Sequence, residues 1–139
     1  MRFLGYTLAN EAELPTEPPP PELYEEMGKF VQEATSAGIV VATGGISPTS
    51  EGVIISLKDG DFSVVDGPFA EAKELVAGYT LIQVKSREEA MEWTRRFPNP
   101  SVDGGEAELE IRPLYELEDF GDSEGIQRFR EMDMQLKKK

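Results

Sequence analysis

The chain has 139 residues, enough for one domain and too few for two well-stabilised cores, with 39% hydrophobic and 29% charged side chains. Its 27 acidic and 14 basic residues leave a formal net charge of -13, which disfavours a nucleic-acid partner. Cysteine and histidine are both absent, which excludes disulfides, thiolate nucleophiles, imidazole acid–base steps and Cys- or His-ligated metals.

No apolar run approaches a membrane span and the amino terminus carries no secretory pattern, so a cytoplasmic protein independent of membranes is expected. Arg2 to Leu8 reads as a first strand, rich in aromatic and branched residues. Residues 10–21 are acidic and proline-rich, with four consecutive prolines from Pro18, and favour an extended connector. A helix follows from Glu22 to Ser36: Leu23, Met27, Phe30, Val31 and Ala34 form a stripe at helical period, and Gly38 suits its end.

Ile39 to Ala42 is a short apolar run, after which Thr43-Gly44-Gly45 is expected to turn the chain without the spacing of a phosphate-binding loop. Val53 to Leu57 and Phe62 to Val65 form a hairpin about Lys58-Asp59-Gly60-Asp61. Val76 to Lys85 is the longest strand. Ser86-Arg87-Glu88-Glu89 matches a capping box and opens a helix that carries Ala90, Trp93, Thr94 and Phe97 on one face. Asn99 to Gly105 is a loop, and Glu106 to Leu114 alternates as a strand with one wet face. A charged helical tail occupies Asp122 to Lys139.

The order strand, helix, strand, hairpin, strand, helix, strand is that of a ferredoxin-like α+β domain, with two helices on one face of an antiparallel sheet. Apolar side chains point both ways in the first, third and fifth strands: Phe3 with Leu4 and Tyr6, Val53 with Ile54 and Ile55, Leu81 with Ile82 and Val84. Helices cover one face only. Leaving the other wet would cost on the order of 10 kcal/mol, so a second copy is expected to cover it, making a homodimer.

The stretch from Asp66-Gly67-Pro68-Phe69 through Ala70-Glu71-Ala72-Lys73-Glu74 to Val76-Ala77-Gly78-Tyr79-Thr80-Leu81-Ile82 resembles the signature of the YCII-related proteins of the DGPF branch. The likeness continues through Arg87-Glu88-Glu89-Ala90-Met91-Glu92-Trp93 and Glu110-Ile111-Arg112-Pro113-Leu114. It covers residues 1–115 and leaves 116–139 as a C-terminal extension. The resemblance implies a dimeric α+β barrel. It also implies kinship with muconolactone-isomerase-type enzymes having a His-Asp pair, of which only Asp66 exists here, and a regulatory link to an extracytoplasmic-function sigma factor.

Two readings of the site follow, neither needing a cofactor or metal. In the first the protein is a dimeric module that binds a small molecule or a regulatory partner. In the second it is a small isomerase or lyase acting on an organic acid or lactone. Asp66 would then transfer the proton, Tyr6, Phe69 and Tyr79 would wall the cleft, and Arg2 or Lys73 would hold an anionic substrate.

Overall fold

The computed structural model describes residues 1–9, 18–69, 75–100 and 107–137. Most of the acidic proline-rich connector, the stretch that holds Lys73, most of the loop from Asn99 to Gly105, and the terminal lysine pair lie outside the described residues.

Strand β1, Arg2–Ala9, leads to Pro20, whose φ of -65° and ψ of 151° are polyproline II geometry. Helix α1, Pro21–Ser36, begins on proline, where a missing amide costs nothing. Its end is a Schellman motif. Gly38 takes φ 76° and donates to the Thr35 carbonyl, and Ile39 donates to the Ala34 carbonyl at 2.9 Å. The chain then enters β2, Val40–Gly45, and after a 3-10 turn at Thr49–Glu51 forms β3, Val53–Lys58, and β4, Asp61–Asp66. Asp59 and Gly60 both have positive φ, as a two-residue type I′ hairpin requires.

Strand β5, Leu75–Gln83, is followed by α2, Arg87–Arg95. Ser86 Oγ accepts from the Glu89 amide at 3.1 Å, whereas the Glu89 carboxylate reaches back one residue further than expected, to the Lys85 amide at 2.8 Å. Strand β6, Glu108–Pro113, a 3-10 turn at Leu117–Phe120 and helix α3, Glu124–Lys137, complete the order.

The main sheet runs β2-β5-β1-β6, antiparallel throughout. This is the ferredoxin-like plan, since each strand–helix–strand unit straddles one strand of the other. The hairpin β3–β4 is an insertion that forms its own two-stranded sheet. The sequence pattern groups Val53, Ile54 and Ile55 with the two-faced strands β1 and β5; in the structure they stand apart from that sheet.

Register explains which side chains are buried. Phe3 pairs with Ile82 and Gly5 with Thr80, facing the helices; Leu4 pairs with Leu81 and Tyr6 with Tyr79, facing away. The core of Phe3, Ala34, Ile39, Ile82, Val84 and Ala90 therefore sits between one end of the sheet and the two helices. Thr43-Gly44-Gly45 is not the turn its glycines suggest. These residues complete β2 and pair with Thr80, Tyr79 and Gly78. Glycine is tolerated there because the Tyr79 ring leans over Gly44, where a Cβ would stand 3.1 Å from it.

Candidate functional site

The helix-facing side of the sheet is not filled along its whole length. Beyond the core, Gly5 of β1, Gly45 of β2 and Gly78 of β5 put bare backbone where side chains would otherwise meet the helices. A Cβ on Gly45 would meet open space. The result is a cavity of about 370 Å³, within the range of small-molecule sites.

Aromatic residues roof it. Phe30 of α1 lies edge-on to Trp93 of α2, with centroids 6.1 Å apart, and to Phe97 just beyond α2, at 5.4 Å. Arg96 stacks over the Trp93 ring at 4.4 Å and pairs with Glu33 of α1, pinning the helices together from outside. Met27, Val31, Leu109 and Ile111 complete an apolar wall.

The polar groups at the floor are threonine hydroxyls. Thr43 Oγ1 donates to the Tyr79 carbonyl at 3.0 Å and lies 2.9 Å from Thr80 Oγ1. A hydroxyl has one hydrogen, so Thr80 must supply the proton between the two threonines. Thr80, one of the residues lining the cavity, then keeps lone-pair capacity to accept a further hydrogen bond. No charged side chain occurs among the described residues lining this space.

The residues singled out from the sequence are spread over separate places. Tyr6 and Tyr79 border the cavity, but strand alternation turns their side chains to the face away from the helices. Asp66 is exposed at the end of β4 and pairs through its backbone with Val53. Phe69 packs on Gly52 at the base of the hairpin. Lys73 lies outside the described residues.

Arg2 is committed elsewhere, with a bidentate contact to Glu116 at 3.0 and 3.3 Å. That hydrogen bond, aided by the guanidinium charge, holds the Glu116 carboxyl below the ordinary glutamate value. A lowered native value means that the contribution is complete above the unfolded range and is lost as pH falls through the native value. Because both side chains are over one-third exposed, Glu116→Gln is expected to cost no more than about 1 kcal/mol at neutral pH. Denaturant melts of the two proteins should converge at strongly acidic pH.

The aromatic roof and the threonine floor were not singled out as a site by the sequence reading. Phe30 belongs to the helical-period stripe of α1, and Trp93 and Phe97 share one face of the second helix, which the sequence alone does not distinguish from ordinary packing. The available signal was glycine inside predicted strands, at Gly5 and Gly78, which marks close approach of another group.

A family profile described as the YCII-related domain matches residues 1–115, most of the chain. The chain belongs to the YCII-related family. It is also similar to "Uncharacterized protein R00369" of Rhizobium meliloti (strain 1021), 35% identical over 89 residues that span 64% of this chain and 70% of that protein. The YCII-related region comprises the whole ferredoxin-like sheet, both packing helices and the inserted hairpin, and stops before the 3-10 turn and α3. Among the described residues no helix is long and apolar enough to cross a membrane.

Proposed function

We propose that this YCII-related protein, a member of the DGPF branch, is a homodimeric, cytoplasmic small-molecule-binding module. It takes a neutral, largely apolar compound of one or two rings into the cavity between sheet and helices. The observation that carries this reading is the cavity's lining: an aromatic roof, aliphatic walls and threonine hydroxyls as its polar floor. Thr80 Oγ1, left as an acceptor, favours a ligand that donates from a phenolic or enolic hydroxyl. A carboxylate would meet no cation among the described lining residues and would lose its hydration uncompensated. Of the ligands expected from the sequence, a neutral lactone is therefore favoured over an organic acid, and the Thr80 acceptor adds phenols to the candidates.

A regulatory role alongside a sigma factor is the setting the family resemblance supports. The isomerase or lyase reading is weaker, because Asp66, its acid–base group, is exposed on the hairpin and outside the cavity lining.

Trp93 is the chain's single tryptophan and belongs to the roof, so its fluorescence reports on the cavity alone. Titration with substituted phenols and neutral lactones should shift or quench the emission and raise the melting temperature. Gly45→Val places a side chain in the open floor and should weaken binding by at least ~10-fold without loss of stability. Unchanged emission across the panel would defeat the proposal.

A further inference from the structure

The helix-facing floor of the cavity holds its hydroxyls at opposite corners of one small frame. Thr80 of β5 pairs with Gly5 of β1, and two residues along the same strands Gly78 pairs with Thr7. All four residues line the cavity. Hydroxyls therefore occupy one diagonal of the frame and glycines the other. Diagonal neighbours in a sheet stand about 7–8 Å apart. A Cβ built on Gly78 would meet Thr7 Oγ1 at 3.4 Å, so that hydroxyl stands on the helix-facing side, over the space Gly78 leaves. Leu109, the other strand partner of Thr7, walls that end of the cavity.

The two ends of the hydroxyl diagonal differ in what they can still do. Each hydroxyl has one hydrogen to give. Thr43 gives its hydrogen to the Tyr79 carbonyl, Thr80 gives its own to Thr43, and Thr94 of α2 donates to the Ala90 carbonyl at 2.7 Å. Thr80 keeps acceptor capacity only. Thr7 is the exception: its hydroxyl has no hydrogen-bond partner among the described residues, so its hydrogen is unspent. A half-buried hydroxyl in an apolar enclosure gains from a partner that a ligand can supply. We infer that Thr7 is a second specificity-determining residue of the cavity, donating to a ligand carbonyl while Thr80 accepts from a hydroxyl on the opposite side of the same ligand.

The proposal rests on the small-molecule reading above and narrows its ligand to one class, a ring compound with a hydroxyl on one side and a carbonyl oxygen across from it. Hydroxylated aryl ketones, aryl aldehydes and lactones have this form. Such a ring bridges the diagonal with a hydrogen bond of about 2.8 Å at each end. Two bonds of opposite sense also fix which way round the ligand sits, which an apolar roof alone does not do. Gly78 belongs to the same arrangement, because a side chain there would fill the space beside the Thr7 hydroxyl. A carboxylate in place of the carbonyl would again meet no cation among the described lining residues.

Calorimetric titration with three matched probes tests this: para-hydroxyacetophenone, para-ethylphenol, which lacks the carbonyl, and acetophenone, which lacks the hydroxyl. The wild-type protein should bind para-hydroxyacetophenone about 10-fold more tightly than either of the others. Thr7→Val keeps the shape of the side chain and loses its hydroxyl. It should weaken para-hydroxyacetophenone and acetophenone about 10-fold and leave para-ethylphenol unchanged. Thr7→Ser should restore the wild-type preference. Thr80→Val should do the converse, weakening para-ethylphenol and sparing acetophenone. The ranking of probes on the wild-type protein needs no variant, so it tests the proposal even if a substituted strand proves unstable. Equal binding of para-hydroxyacetophenone and para-ethylphenol, or a Thr7→Val loss shared by all three probes, would overturn the role of Thr7 and leave the cavity reading standing. Failure of all three to bind the wild-type protein would overturn both.

Discussion

Replacing Gly67 with alanine is expected to open the hairpin at its base. A Cβ at this position would stand 1.7 Å from the Thr49 carbonyl oxygen and 2.7 Å from its carbon, both backbone atoms that no side-chain rotation can move. Gly67 also donates to the Gly52 carbonyl at 2.9 Å, and Gly52 in turn lies under the Phe69 ring. The Asp66-Gly67-Pro68-Phe69 signature thus has a structural rationale at its centre: the chain passes so close to the 3-10 turn that only glycine fits. Overpacking of this severity costs about 3 kcal/mol. The hairpin is a separate sheet, so the loss should appear first as local opening. Amide exchange in β3 and β4 is expected to accelerate about 100-fold, with little change in β1 and β5. If Asp66 were instead the essential group, Asp66→Asn should abolish ligand binding while Gly67→Ala left exchange untouched, the reverse of what the geometry predicts.

Truncating Phe30 to alanine should be the most damaging single change in the helical layer. Its ring is the common partner of Trp93 and Phe97, and through them it joins α1 to α2 over the cavity. Phenylalanine-to-alanine changes in cores cost 3–5 kcal/mol, and Phe30 is half-buried, so about 3 kcal/mol is expected. For a domain of this size that lowers the melting temperature by roughly 10 °C. Phe30→Leu should recover most of the loss, leaving about 1 kcal/mol for the missing edge-to-face geometry. The same substitution to alanine removes the roof, so the Trp93 emission should move toward that of a solvated indole. Calorimetry and fluorescence on one preparation test both effects.

Much of the fold was legible because it is encoded within a few residues. The proline start and Gly38 stop of α1, the Ser86 cap of α2 and the Asp59-Gly60 turn are each set by local backbone chemistry. The apolar stripe of α1 and the alternation of β6 are likewise periodic signals read along the chain. The Thr43-Gly44-Gly45 segment misled for the same reason. Glycine favours turns locally, but pairing with β5 across some 35 residues of sequence holds these residues in a strand.

The candidate site was less legible. Thr43 meets Thr80 only because β2 and β5 pair in one register, displaced by an irregularity between Val40 and Ala42. Tyr6 and Tyr79 do come together, yet on the face away from the helices. A one-residue difference in register decides which face a strand residue occupies, and that register is a property of the assembled sheet.

The sequence by itself determined the family, the α+β order, most element boundaries and the exclusion of histidine and cysteine chemistry, because composition and short-range backbone preference carry that information. Only the tertiary structure decided that glycines of three strands align beneath an aromatic roof, and that the hairpin stands apart with an uncovered apolar face. It also placed Asp66 at the hairpin's base instead of in the cavity. Those are outcomes of which distant strands pair, in which register, and of how little volume is left for side chains once they do.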